Sequence, residues 1–170
     1  MSVYIIAEIG NTHEGSVPLA KNFIKSASEC GVDAVKFQTH FFEYESTADA
    51  PNPPYFNGES RKEYFNRTAF TQQEWSELKS YAEENCGVDF ISSPFSQEAC
   101  EMLTNIGVKR LKVASGEVTN HPLLRKIAKA GVEVFLSSGM NSIAEIDDAM
   151  EILLGHNPEV SITLMQCTSE

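Results

Sequence analysis

No two of the four cysteines, Cys30, Cys86, Cys100 and Cys167, stand at CxxC spacing, and they are scattered along 170 residues. The chain also starts, at Met1-Ser2-Val3, without a basic-then-apolar leader. Both absences lead to an expectation of reduced thiols in a cytoplasmic protein, not a disulfide framework. The four histidines show neither HxH nor HxxxH spacing, so no metal site is visible in the sequence. No apolar run approaches the roughly 20 residues that a membrane span needs. Positive charge is scarce as well. Thirteen Lys+Arg against 24 Asp+Glu give a net charge of −11, which argues against nucleic acid or an anionic membrane as partner. Any anionic ligand must be held by local lysines working against that field.

What the sequence does contain is a repeat of short apolar runs and amphipathic segments. Residues 3–7 read as a buried strand meeting a polar turn at Glu8-Ile9-Gly10-Asn11. Leu19, Phe23, Ile24 and Ala27 then fall at helical spacing, with Gly31 as the stop. Residues 32–37 form the second expected strand, running into Gln38-Thr39-His40. Between Phe41 and Arg67 the pattern is lost. Pro51, Pro53, Pro54, Asn52, Asn57 and Gly58 predict a long irregular loop, either a substrate lid or a variable insertion. Order returns with a capping box at Thr71 and Glu74, opening a helix that carries Trp75, Leu78 and Ala82 inward. Strands are predicted over 89–94, 110–114, 132–136 and 160–165. The helices between them begin at Ser96, at Asn120 with Pro122 in the first turn, and at a second capping box, Ser142 with Glu145. Ala99, Cys100, Leu103, Leu124, Ile127, Ala128, Ile146, Met150 and Leu153 are their predicted core positions.

Five β-α units and a last strand mean a parallel α/β fold, either a doubly wound sheet or a (β/α)8 TIM barrel. No GxGxxG follows the first strand, which weighs against the dinucleotide-binding sheet. A barrel explains why every strand leaves through polar, chemically capable residues, because barrels collect their chemistry at the carboxyl ends of strands. Six strands and five helices are about three-quarters of such a barrel. Residues 1–170 are therefore expected to be an incomplete N-terminal barrel domain.

The predicted strand exits present Glu8, Lys36, Gln38, Ser92, Lys112, Ser115, Glu117, Ser137, Thr168 and Ser169. Lysines, hydroxyls and glycines gathered in this way describe a phosphate or carboxylate site. Read as strand, Lys112-Val113-Ala114-Ser115 alternates, with Lys112 and Ala114 on one face and Val113 and Ser115 on the other. Each residue alone has a plainer reading. A strand lysine can snorkel, Ser137-Ser138-Gly139 can be turn chemistry, and Glu117 can be a helix N-terminal charge. The recurrence on six successive exits favours function. His13 and His40 read as hydrogen-bonding loop histidines, and Cys167 as a packed strand residue.

Five segments taken together resemble the sialic acid synthase family, the N-acetylneuraminate synthases with their legionaminate and pseudaminate synthase relatives. They are residues 6–15 (IAEIGNTHEG), 35–39 (VKFQT), 112–117 (KVASGE), 136–140 (LSSGM) and 166–169 (QCTS). The resemblance implies a (β/α)8 barrel that condenses phosphoenolpyruvate with an N-acyl amino sugar, releasing phosphate. It implies that Lys36 and Lys112 bind the phosphoenolpyruvate charges, helped by Ser115 and Ser137. Glu8 would face the sugar or metal-bound water, Gln38 would contact substrate, and Glu117 would handle protons or orient water. Asn57 aligns with a sugar-binding asparagine, and Ser169 stands where some members carry a phosphate-contacting asparagine. A divalent metal, Mn2+ or Mg2+, is implied for the full-length protein with ligands on later strands, none of them in this chain. So are a homodimer and a C-terminal antifreeze-like domain, also absent here. The 170 residues alone are then expected to be inactive. Two other readings stay open: a Schiff-base aldolase using Lys112, and a non-catalytic, anion-binding truncated fragment.

Overall fold

The computed structural model, which describes residues 3–47, 49–52 and 58–167, arranges six strands in one sheet in the order of the chain. They are β1 (Ile6–Gly10), β2 (Ala34–Thr39), β3 (Asp89–Pro94), β4 (Arg110–Val113), β5 (Glu133–Ser137) and β6 (Ile162–Met165). Pairing is parallel, for instance Glu8 against Lys36 and Lys112 against Phe135. Sequential parallel order is the order of a β/α barrel; a doubly wound sheet would reverse direction part-way. The helices are α1 (Val17–Glu29), α2 (Phe42–Glu45), α3 (Arg61–Thr68), α4 (Gln72–Ser80), α5 (Gln97–Asn105), α6 (His121–Ala130) and α7 (Ile143–His156). None is long and apolar enough to cross a membrane. The chain divides into two compact units, residues 1–90 and 91–170, with β3 straddling the division.

In the first unit the core is aromatic. Phe37 stacks on Phe90 with ring centroids 5.4 Å apart, and Trp75 meets both Phe37 and Phe70 edge-on. Because strand side chains alternate, Phe37 in this core forces Lys36 and Gln38 to the other face of β2. A β-bulge between Glu8 and Gly10, with Gly10 at φ +56°, re-aims the end of β1. In the second unit Leu111, Val113, Val134 and Leu136 are buried with Leu123, Leu124 and Ile127 of α6. Asn120 caps that helix, accepting from the Leu123 N–H, and Gly131 ends it in the left-handed conformation.

Several expectations are corrected. The first strand starts three residues later than the apolar run suggested, and Val3, Tyr4 and Ile5 are exposed. The register with β2 decides this, since Ile6 pairs with Ala34. Phe23 is exposed too; Ala20 and Ile24 form the buried face of α1. Met150 is only half-buried, and Ala149 takes its place in the core of α7. The region read as irregular holds two helices, α2 and α3. The second is opened by a full capping box between Ser60 and Glu63. The chain therefore carries seven α-helices among the described residues where five were expected. Finally, β4 ends at Val113, and Ser115–Glu117 is a 3-10 turn. The alternation expected for Ser115 does not reach it.

Candidate active site

In the first unit the candidate site is built on β1 and β2. Lys36 is 5% exposed, and its ammonium lies 2.6 Å from a carboxylate oxygen of Glu8. The pairing follows from register, because Glu8 and Lys36 are direct cross-strand partners. The two ends of the pair differ: the Glu8 side chain is 52% exposed. A buried cation whose carboxylate partner is half in water is a place where another anion can exchange in. Two residues further along the same face of β2 stands Gln38, half-buried, whose amide oxygen is 3.2 Å from His40 Nε2. His40 Nδ1 lies 2.8 Å from Glu45 of α2, and the ring stacks on Phe65.

The loop from β1 to α1 is held by α3. Arg67 donates to Glu14 on that loop and forks onto both carboxylate oxygens of Glu59 at 2.8 and 2.7 Å. These contacts keep the Glu59 carboxyl below the usual carboxylate range, chiefly through the Arg67 hydrogen bonds.

His13, on the same loop, is fully buried and stacks 4.5 Å from Phe70. Its Nδ1 accepts from the Gly15 N–H at 3.2 Å, so the neutral ring carries its proton on Nε2. That Nε2 has no hydrogen-bond partner among the described residues. His13 is thus the hydrogen-bonding loop histidine that was expected. Burial pushes its pKa down to about 4, against the opposing charge of Glu14. The unfolded chain takes up a proton near pH 6.5 and the native state only near 4. Stability should therefore be full above pH 6.5 and fall as the pH drops towards 4. The loss is expected to be on the order of 2–3 kcal/mol. Urea melts at pH 7 and 4.5 should show it, and His13→Phe should flatten that part of the profile.

In the second unit, Lys112 is half-buried on the face of β4 opposite Leu111 and Val113. Ser137, 4% exposed, ends β5, and its hydroxyl is 3.0 Å from the Cys167 sulfur. The Ser137 hydrogen bond, with help from the Lys112 charge, holds the Cys167 thiol below the usual thiol range against its partial desolvation. Cys167 is half-exposed and lies past the end of β6, so it is not the packed strand residue that was expected. Glu117 accepts from the Asn120 amide at 2.8 Å, and the same Asn120 caps α6. A helix cap thereby fixes the carboxylate. Ser115 opens the 3-10 turn that carries Glu117, and Ser92 is fully buried in β3.

The structure thus brings Glu8, Lys36 and Gln38 together in one unit, and Lys112, Ser137 and Cys167 in the other. Asn57 and Ser169 lie outside the described residues, as does Thr168. Glu45 and Asn120 were not singled out as site residues from the sequence. Asn120 was visible there as a cap, whereas nothing local marks Glu45. Among the described residues no group of three or more His, Cys, Asp or Glu side chains could hold a metal ion. The described residues therefore offer no ligand set that fits a divalent cation, and Glu8 is already engaged by Lys36.

A family model described as the NeuB family matches residues 23–170. The chain belongs to the NeuB family. Among curated relatives of this NeuB chain is the N,N'-diacetyllegionaminic acid synthase of Campylobacter jejuni. It is 36% identical over 98% of this chain and 51% of its own length. The N-acetylneuraminate-9-phosphate synthase of Mus musculus is also 36% identical, over 98% of this chain and 46% of its own. Among solved structures, the N-acetylneuraminic acid synthetase of Leptospira borgpetersenii, in complex with citrate, superposes with a TM-score of 0.85. It is 31% identical, and the match covers 100% of this chain and 55% of that one. The chain spans about half the length of the curated relatives it matches.

Proposed function

We propose that this NeuB-family chain carries the phosphoenolpyruvate-binding part of a synthase. The synthase joins phosphoenolpyruvate to an N-acyl amino sugar of the N-acetylmannosamine type, giving a nonulosonic acid and phosphate. Carbon 3 of phosphoenolpyruvate forms the new bond to the aldehyde carbon of the sugar. Water adds at carbon 2, the bond from carbon 2 to the bridging oxygen breaks, and phosphate leaves with that oxygen. Lys36 and Lys112 hold the phosphate and carboxylate charges, and the hydroxyls of Ser115 and Ser137 donate to them. Glu8 faces the sugar, Gln38 donates or accepts at a substrate oxygen, and Glu117, fixed by Asn120, handles the proton of the attacking water. A divalent cation serving this reaction takes its ligands from outside the described residues.

The observation that supports this reading most is the Lys36–Glu8 pair: a buried ammonium on β2 with an exchangeable carboxylate opposite it on β1. The relatives named above, all synthases of sialic-type acids, supply the substrate class. Phosphate release measured with phosphoenolpyruvate, N-acetylmannosamine and Mn2+ tests it on the full-length protein. Release that requires the sugar is expected. Release without sugar, or borohydride trapping of a keto acid on Lys112, would overturn the reading in favour of a phosphatase or an aldolase.

A further inference from the structure

Between α2 and α3 lies a cavity of about 310 Å³ that the proposed chemistry does not use. Its size is at the small end of the range for ligand pockets. Two polar atoms on its wall are buried without a hydrogen-bond partner, the Ser46 hydroxyl and the Arg61 Nε. The other cations of α3 are matched. Arg67 forks onto Glu59 and reaches Glu14, and the Lys62 ammonium lies 2.8 Å from Glu43. Arg61 makes no ion pair among the described residues. Residues 48 and 53–57, which lie outside the described ones, include no Asp or Glu that could serve it. Its guanidinium carbon stands over the Phe65 ring, 5.4 Å from the centroid, but a phenyl ring offers no acceptor oxygen. In a chain with 24 Asp+Glu against 13 Lys+Arg, a buried arginine without a carboxylate is not explained by a shortage of acidic side chains.

Charge and donor placement restrict what can fill the cavity. A guanidinium is a permanent cation that only donates, so the partner Arg61 lacks is an acceptor, and an anionic one fits best. The Ser46 hydroxyl is free to turn its O–H to the same ligand. Glu43 also lines the cavity, but Lys62 neutralises it, which leaves the Arg61 charge in excess. The two donors come from different elements, the end of α2 and the start of α3. Donors on separate elements suit a tetrahedral anion, whose oxygens point to several sides. Asn52 holds the start of α3 in place, its side-chain oxygen accepting from the Arg61 backbone N–H at 2.9 Å.

We propose that Arg61 and Ser46 form an oxyanion site between α2 and α3, one that takes a phosphate group. Neither Lys36 nor Glu8 lines this cavity, so it is a second site and not an extension of that pair. Phe65, under Arg61, stacks in turn on His40, so one aromatic ring separates the arginine from the end of β2. Two sources share the required chemistry: a free phosphate ion, and a phosphate carried by the sugar.

Inorganic phosphate, titrated calorimetrically into Lys36→Met and into Lys36→Met/Arg61→Gln, tests the site. The first substitution is there to weaken binding at the β1–β2 pair. Adding Arg61→Gln should weaken phosphate binding about tenfold or more. Equal affinity in the two proteins overturns the proposal. Should the arginine variant fold poorly, Ser46→Ala in the Lys36→Met background decides, since that hydroxyl has no hydrogen bond to lose. About threefold weaker binding is expected there, and unchanged affinity overturns the proposal. The source of the anion is read from the full-length protein, with N-acetylmannosamine and its 6-phosphate as alternative substrates. A KM raised about tenfold by Arg61→Gln for the phosphorylated sugar alone puts the anion on the sugar. Unchanged KM values, with phosphate binding still lost, make it a free ion. Only this last arm rests on the proposed reaction. A wild type that turns over neither sugar counts against that reaction, while the titrations still judge the site.

Discussion

Alanine at Gly15 is expected to cost about 3 kcal/mol or more of folding stability, far beyond the usual effect of one added methyl group. Gly15 has φ +77°, a region in which side-chain-bearing residues are strained. The decisive term is space. A Cβ there would stand 2.0 Å from the carbonyl oxygen of Arg67 and 3.1 Å from its carbonyl carbon. Both are backbone atoms at the end of α3 and cannot rotate aside as a side-chain tip would. Relief requires α3 to draw away from the β1–α1 loop, which strips Arg67 from Glu14 and lifts the cover over His13 and Phe70. Gly31 is the matched control: its φ is +80°, and an added Cβ meets nothing within 4 Å. Gly31→Ala should therefore show backbone strain alone, about 1–2 kcal/mol. Urea denaturation of both variants reads the difference. If Gly15→Ala is no worse than Gly31→Ala, the close packing of loop on helix is not what holds this end of the fold.

That contact also shows where the sequence stops informing. Gly15 was legible as the end of the first family-like segment, but its partner, 52 residues away at Arg67, was not. What could be read locally was read well. The span of β3, the helix starts at Thr71, Ser96, Asn120 and Ser142, and the glycine stops are all determined by side chains within a few residues of each other. The ladder order followed from alternation of strands and helices. Register did not. Val3-Tyr4-Ile5 is as apolar as a core strand, yet it lies before the segment that pairs, since pairing is settled by Ala34 to Phe37 opposite. In the 41–67 region prolines and asparagines hid a Ser60-to-Glu63 capping box that was there to be found. Glu45 could not have been found: its partner His40 is five residues away, off the three- and four-residue spacing of an α-helix face, and the short α2 turn folds it back. The strand-end chemistry was legible because a lysine between buried neighbours in a strand, as in Val35-Lys36-Phe37, is costly and needs a reason.

Lys36→Met is expected to reduce kcat/KM for phosphoenolpyruvate by roughly 10²–10³-fold while changing stability by no more than about 1 kcal/mol. Methionine keeps the length and packing of the lysine stem and removes only the charge. Two opposing terms then nearly cancel in the folded protein. The variant no longer has to bury an ammonium, and it gives up an ion pair whose carboxylate, 52% exposed, returns to water at little cost. Nothing cancels on the ligand side, where a phosphate or carboxylate would meet a site with its cation gone and Glu8 repelling it. Glu8→Gln should behave in the opposite sense. It leaves the ammonium in place without its carboxylate, so phosphoenolpyruvate should bind at least as tightly while the fold loses some stability. Calorimetric titration with phosphoenolpyruvate, paired with thermal melts of the same three proteins, separates the two effects. A Lys36→Met protein that loses stability in proportion to affinity would make this lysine a structural residue, and unchanged phosphoenolpyruvate affinity would remove it from the site altogether.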